Sequence, residues 1–81
     1  IEAGQRQVAE ITLIDQVLGI DNITNIKERE LCRLRLSNEA SSLQELADLM
    51  GEKLKTPISK SNVNHLFRSL HLLYEKLTNN H

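Results

Sequence analysis

Residues 56–70 read TPISKSNVNHLFRSL and combine apolar side chains at helical spacing with many hydrogen-bonding side chains. An asparagine amide can pair with N6 and N7 of adenine, and an arginine with O6 and N7 of guanine, while serine and histidine can donate or accept. Lysine, serine and the N–H groups of a helix's first turn suit phosphate oxygens. The segment therefore fits either an ordinary surface helix with a well-capped start or a site for double-stranded DNA, whose candidate contacts would be Ser59, Lys60, Ser61, Asn62, Asn64, His65 and Arg68.

The helical geometry of this segment determines which of those side chains share a face. With Val63 at the centre of the buried stripe and about 100° per residue, Ser61, His65 and Arg68 fall near the opposite side. Asn64 then lies on one flank. Such a face suits a recognition helix, but many α-helical hairpins also have a polar face. On spacing alone both interpretations stay open.

Four helices and no strand are predicted to position this segment. Apolar residues at spacings of three and four indicate a first helix over residues 2–18. Gly19 should end that helix in the left-handed conformation. A second helix should begin at Asn25, capped reciprocally with Glu28, and end near Asn38.

The third and fourth helices have clearer start signals. Ser42 and Glu45 form a predicted capping box for the third helix, and the fourth begins after Pro57 and Ser59. Residues 51–56 either extend the third helix by one turn or form a long mobile turn, and the apolar spacing slightly favours the extension. The inward side chains of the second, third and fourth helices are expected to be Leu31, Cys32, Leu34, Leu36, Leu43, Leu46, Ala47, Met50, Val63, Leu66, Phe67, Leu70, Leu73, Tyr74 and Leu77.

A short helix, a brief turn and a longer helix with a polar outer face form the outline of a helix-turn-helix. The predicted fold class is therefore all-α, a small four-helix domain containing a helix-turn-helix. Residues 1–81 should form that single domain. Because the sequence begins with Ile1 instead of Met, we expect the domain to come from a longer protein.

Composition limits the choice of partner. Residues 1–52 have a net charge of −5 and residues 53–81 one of +4, so the basic third of the chain could face a polyanion or form an ordinary solvated helix. Only two residues are aromatic, which argues against stacking on single-stranded bases. No apolar run reaches the roughly 18 residues of a membrane span. One cysteine permits no internal disulfide, and we expect a cytoplasmic setting without a membrane partner.

Catalysis and metal binding find little support in the sequence. No glycine-rich phosphate loop, paired carboxylates or nucleophile–base arrangement is found, so an enzyme is not predicted, and no cofactor is expected. Cys32 and the three histidines lack metal-ligand spacing, and Cys32 is expected to be a small core residue. His71 and Glu75 should form a surface pair four residues apart.

Two further features have structural interpretations. The charged residues of the second helix, Glu28, Arg29, Glu30, Arg33 and Arg35, are expected to form a mixed-charge surface. Leu72 projects about 180° from the centre of the buried stripe. It is either covered by the first helix, which we expect, or exposed as a partner contact.

The motif PISKSNVNHLFRSL resembles the PxSKSGVNHRLRKL signature of the C-terminal helix-turn-helix of the WhiA family of sporulation and cell-division regulators. The stretches AGQRQVAEITLI, KERELCRLRL and ASSLQEL resemble further family segments in the same order. The resemblance implies DNA binding through residues 59–61, Val63, Asn64, His65 and Arg68. It also implies roles in transcription, cell division and chromosome segregation, a nucleoid-associated location, and a LAGLIDADG-like N-terminal region in the full-length protein.

The chain departs from the family pattern in two places: the signature is altered, and the stretch between Leu43 and Ser59 is about four residues longer. The altered signature keeps a second hypothesis open. The family's usual Gly and Arg are Asn62 and Leu66 here, and the arginine's loss removes a phosphate or base contact. The second and third helices also resemble region 4 of bacterial sigma factors. The alternative is therefore a protein-interaction module that contacts RNA polymerase, a sigma factor or a partner domain.

Overall fold

The polypeptide is folded entirely into helices and short connections over the residues that the structure describes. The computed structural model describes residues 2–79, with side chains from residue 4. No strand occurs among them, and the expected all-α four-helix fold is confirmed. The elements are α1 (Glu2–Val17), a 3₁₀ turn (Ile20–Asn22), α2 (Ile26–Ser37), α3 (Leu43–Leu54) and α4 (Lys60–Thr78).

The apolar stripes of the four helices meet in one core, and α4 packs against each of the other three helices. Most of the core side chains are aliphatic, and Phe67 is the one aromatic ring among the buried residues, which agrees with the composition. Ile20 and Ile23, which both lie within the connection between α1 and α2, are also buried, although neither belonged to a predicted helix. The buried apolar residues are Ile11, Ile14, Ile20, Ile23, Leu31, Cys32, Leu46, Ala47, Met50, Val63, Leu66, Phe67 and Leu70.

Helix ends follow the predicted signals with two differences. Gly19 has a φ of 90°, which favours glycine, but its ψ of 127° is extended and not left-handed helical. Asn25 Oδ1 accepts the Glu28 N–H at 3.1 Å, yet the reciprocal bond from the Glu28 side chain is not formed. Asn38 ends α2 as predicted.

The prediction that the charged residues of α2 form a surface is wrong for Glu30 and Arg35, both of which are buried. Glu30 accepts from Arg33 Nη1 at 2.8 Å and lies 2.9 Å from the ammonium of Lys53 on α3. The hydrogen bond from Lys53 is the main reason that the pKa of Glu30 lies below its usual value. Glu30 thus joins α2 to α3 across the edge of the core.

Arg35 organises the connection between α2 and α3. Its Nη1 donates to the carbonyls of Asn38, Glu39 and Ser41 at 3.3, 3.1 and 2.8 Å. Its guanidinium carbon lies 5.5 Å from the centre of the Phe67 ring, within cation–π distance. A charged side chain therefore links this connection to α4.

The start of α1 packs against the same connection. A Cβ atom on Gly4 would lie 2.9 Å from the Glu39 carbonyl oxygen and 3.8 Å from Arg35 Nη1. Glycine permits this close approach because it has no side chain. The first turn of α1 and the α2–α3 connection therefore lie side by side, at the end of the domain that holds the first turns of α4.

Candidate nucleic-acid interface

The connection between α3 and α4 is short. Helix α3 continues through Leu54, so residues 51–54 extend it. The predicted helical extension is therefore confirmed, and the alternative of a long mobile turn is wrong. Lys55 ends α3 in the left-handed conformation, with φ 58° and ψ 38°, and the Thr56 N–H donates to the Gly51 carbonyl at 3.2 Å. Five residues, 55–59, then lead to α4.

Gly51 allows this turn to fold back closely onto α3. A Cβ atom at Gly51 would lie 3.2 Å from the Thr56 carbonyl oxygen and 3.8 Å from the Ile58 nitrogen. The half-buried Ile58 packs against the core and fixes the path of the turn. The direction of α4 relative to α3 is therefore set by packing as well as by the capping bonds.

The first half of α4 presents polar side chains over a buried apolar stripe. The side chains of Val63, Leu66 and Phe67 point into the core. On the other faces of the same turns, the exposed residues are Lys60, Ser61, Asn62, Asn64, His65 and Arg68. The structure thus brings the predicted contact residues together on one solvent-facing surface of about two and a half turns.

Ser59 and Asn62 have a structural role at this surface. Ser59 Oγ accepts the Asn62 N–H at 3.1 Å, while Asn62 Oδ1 accepts from the Ser59 N–H at 3.1 Å and from its hydroxyl at 2.9 Å. The pair forms a capping box for α4, a role that the sequence analysis missed because Asn replaces the usual Glu or Gln. The sequence signal that could have revealed this capping box is a serine followed three residues later by an asparagine.

A groove lined by both polar and apolar side chains runs between α1 and the middle of α4. It has a volume of about 500 Å³. Asn64 also borders a second hollow, which reaches the α2–α3 connection and the start of α3. The residues lining the first groove are Arg6, Gln7, Glu10, Asn64, Phe67, Arg68, His71 and Leu72.

His71 closes one end of the groove. Its Nδ1 lies 2.9 Å from Glu10 Oε1 on α1, and its Nε2 lies 3.6 Å from Glu75 Oε2. The hydrogen bond and the charge of Glu10 raise the pKa of His71 above its ordinary value, with a smaller contribution from Glu75. The predicted pair with Glu75 is present, but the shorter contact joins side chains 61 residues apart.

Leu72 does not behave as expected. Its side chain is 65% exposed, so the prediction that α1 covers it is wrong. The first helix packs on the flank of α4 that carries His71 and leaves the outermost position open. Leu72 therefore adds an apolar spot one turn beyond Arg68.

Three further observations concern metal binding, the cysteine thiol and membrane insertion in the part of the chain that the structure describes. No group of three or more histidine, cysteine or acidic side chains is arranged to hold a metal ion there, and His81 lies outside the described residues. Burial raises the pKa of the Cys32 thiol to about 12. None of the described helices is long and apolar enough to cross a membrane.

Comparison with known proteins identifies the family. A family model described as the WhiA C-terminal HTH domain matches residues 1–74. Proteins named probable cell division protein WhiA, from Staphylococcus aureus strains JH9, Newman and COL, are 42% identical over 80 residues. The aligned region covers 98% of this chain and 24% of each relative. No solved structure gives a significant match. The chain belongs to the WhiA C-terminal helix-turn-helix domain family.

Proposed function

We propose that this chain is a DNA-binding regulator domain that inserts the first half of α4 into the major groove of a duplex. The observation that carries the proposal is the exposed polar surface of α4, fixed to α3 by a five-residue turn. In helix-turn-helix proteins the N-terminal residues of the second helix contact base edges, and the preceding helix crosses the backbone. The helix order and the position of the polar side chains support that docking.

The candidate contacts divide by chemistry. We assign Lys60 and the unbonded first-turn N–H groups of α4 to phosphate, because these groups carry little base information. Ser59 donates its N–H and its hydroxyl to Asn62 Oδ1, so in this proposal it contacts phosphate by turning its hydroxyl from Asn62 to a phosphate oxygen. Asn64 offers a donor and an acceptor together, which suits the N6 and N7 atoms of adenine. Ser61 and His65 are further candidates for base edges.

Arg68 and Asn62 need separate treatment. Arg68 lies one turn beyond Asn64, so its contact is a guanine edge or a phosphate according to the angle at which α4 enters the groove. Asn62 Oδ1 is engaged in the capping box. In this proposal Asn62 contacts DNA through its amide nitrogen and keeps the cap.

The domain acts within a longer protein in this proposal, since the chain spans about a quarter of the length of the curated relatives it matches. We propose a LAGLIDADG-like N-terminal region as the remainder, on the sequence resemblance. We further propose transcriptional control, on the sequence resemblance, and a link to cell division, which the names of the relatives suggest. Chromosome segregation, sporulation and a cytoplasmic, nucleoid-associated location follow from the resemblance as further proposals.

An NMR titration of the ¹⁵N-labelled chain with a duplex selected from random sequences tests the proposal. We expect the largest amide shifts at residues 59–68, together with side-chain shifts of Asn64. A single strand of the same sequence serves as the control and should give weaker shifts, because the chain has only two aromatic residues for base stacking. Shifts confined to α2 and the last two turns of α4 would contradict the proposal.

Exposure of Leu72 favours a second candidate function. An apolar side chain beside Arg68, on a chain of net charge −1, suits a protein surface of RNA polymerase, a sigma factor or a partner domain. The variant Leu72→Ser distinguishes the two candidates. It should leave duplex affinity unchanged under the DNA-binding proposal, and it should reduce capture of polymerase under the alternative.

A further inference from the structure

We infer that α1 supplies part of the duplex-binding surface. In this inference Arg6 contacts the phosphate backbone beside the half of α4 that enters the major groove of the duplex. The inference rests on the proposed DNA-binding function and assigns a role to residues outside the helix-turn-helix. Its starting point is the groove in which Arg6 and Gln7 meet Asn64 and Arg68.

The two helices run in the same direction along this groove. Gly4 touches the α2–α3 connection, Arg6 and Gln7 lie across from Asn64, and Glu10 reaches His71 further along α4. The first turns of α1 therefore flank the first turns of α4. A duplex seated on the polar face of α4 would have its backbone within reach of this end of α1.

Charge in the groove suits a polyanion. Arg6 and Arg68 are both exposed, and neither makes an ion pair with any side chain of residues 4–79, the side chains that the structure describes. Among the described side chains, the one carboxylate lining the groove belongs to Glu10, which is already bonded to His71 at 2.9 Å. Two guanidinium groups on one groove repel each other until an anion lies between or beside them, and arginine binds phosphate through paired N–H groups.

A second observation in the groove also points to a bound partner. The side-chain oxygen of Gln7 is buried and has no hydrogen-bond partner among the described residues. Gln7 borders both hollows that Asn64 borders, so the amide lies next to the predicted adenine-reading side chain. A buried acceptor without a donor is unfavourable, and a rotation of the Gln7 amide into the groove, where a bound partner or an ordered water can donate to it, removes that cost.

The duplex is favoured over an acidic protein segment because the groove is continuous with the reading face of α4. Asn64 and Arg68 belong to both surfaces, so a ligand seated on one of them meets the other. Within the proposed function, a phosphate backbone is the anion present beside an inserted recognition helix. Arg6 would therefore position the domain without reading sequence.

The test measures salt dependence of duplex affinity for Arg6→Gln, Arg6→Lys and two matched variants. Lys27→Gln removes an exposed cation from the first turn of α2, outside the groove, and Lys60→Gln removes the proposed phosphate contact of α4. Each lost phosphate contact should reduce the slope of log affinity against log salt by about 0.9. The deficit of Arg6→Gln relative to the parent chain should then shrink about 3.5-fold as salt rises from about 50 to about 200 mM.

We expect Arg6→Gln and Lys60→Gln each to lower the slope, while Arg6→Lys and Lys27→Gln keep it. If Lys60→Gln lowers the slope and Arg6→Gln does not, the inference about α1 is wrong and the proposed function stands. If Arg6→Gln weakens duplex binding but leaves the slope of log affinity against log salt unchanged, Arg6 supports the fold of the domain and the proposed phosphate contact is wrong. If neither variant changes duplex binding while both remain folded, the proposed function itself fails.

Discussion

Replacing Arg35 by Met should destabilise the domain by about 2–3 kcal/mol. Arg35 is buried, and its Nη1 donates to three carbonyls of the α2–α3 connection. Methionine has a similar volume and no charge, so the substitution removes these bonds while largely keeping the packing of the stem.

The magnitude follows from the number of N–H groups. Nη1 carries two hydrogens, so the three carbonyl oxygens share at most two well-formed bonds. A hydrogen bond to a charged group contributes about 1.5–3 kcal/mol, and the contact with the Phe67 ring adds roughly 0.5–2 kcal/mol. Burial of the guanidinium lowers the pKa of Arg35 and opposes these gains, and a buried charge replaced by an apolar side chain recovers that desolvation cost. The net loss is therefore smaller than the sum of the bonds.

Urea unfolding followed by helical circular dichroism measures the loss. The midpoint should fall while the slope with urea stays constant, because the same surface is exposed on unfolding. Arg29→Met is the matched control on the same helix, since Arg29 makes one longer bond of 3.4 Å to the Ile23 carbonyl. The control should cost below about 1 kcal/mol.

A double-mutant cycle isolates the aromatic contact. Arg35→Met combined with Phe67→Leu should be less destabilising than the sum of the two single variants by about 0.5–2 kcal/mol. Equal costs for Arg35→Met and Arg29→Met would refute the reasoning, because the three carbonyl bonds would then contribute nothing beyond an ordinary surface contact.

Three further outcomes are expected. Phe67→Ala should cost about 3–5 kcal/mol in urea unfolding, and a small loss would mean that Phe67 does not anchor the core. Glu10 raises the pKa of His71 in the folded state. Their contact therefore stabilises the fold fully below the unfolded-state pKa of His71, and this stabilisation disappears as pH rises past the folded-state pKa. Urea midpoints of His71→Gln should lack that pH dependence. In salt titrations, Lys60→Ala should lower the slope by about one on every duplex. Asn64→Ala should cost about 1–3 kcal/mol on the selected site alone, and identical behaviour of these last two variants would contradict the base-reading role.

The helices and most of their ends were predictable from the sequence because their signals are local. The capping box of Ser42 and Glu45 is present with bonds of 3.1 and 2.7 Å. Apolar spacing through Leu54 correctly extended α3. Each of these features depends on residues within a few positions of one another, so periodicity and capping chemistry are sufficient to identify them.

Contacts between distant segments were not predictable in the same way. Arg35 was assigned to a surface because periodicity describes one helix at a time and does not reveal carbonyls in the next connection. The pairing of His71 with Glu10 depends on the packing of α1 against α4. Leu72 was wrongly predicted to lie under α1 because the sequence does not reveal how α1 packs against α4. The groove beside Asn64 likewise requires the direction of α1, which no local pattern specifies.

The rate at which the buried thiol of Cys32 is alkylated measures how often the core of the domain opens. Cys32 is 0% exposed and its thiol pKa is raised to about 12, so the native state holds almost no thiolate that a reagent can reach. Alkylation must therefore wait for a fluctuation that separates α2 from its neighbours, and its rate follows the population of that open form. The same protection means that a cysteine introduced at an exposed position of α4 can be labelled selectively in the native protein.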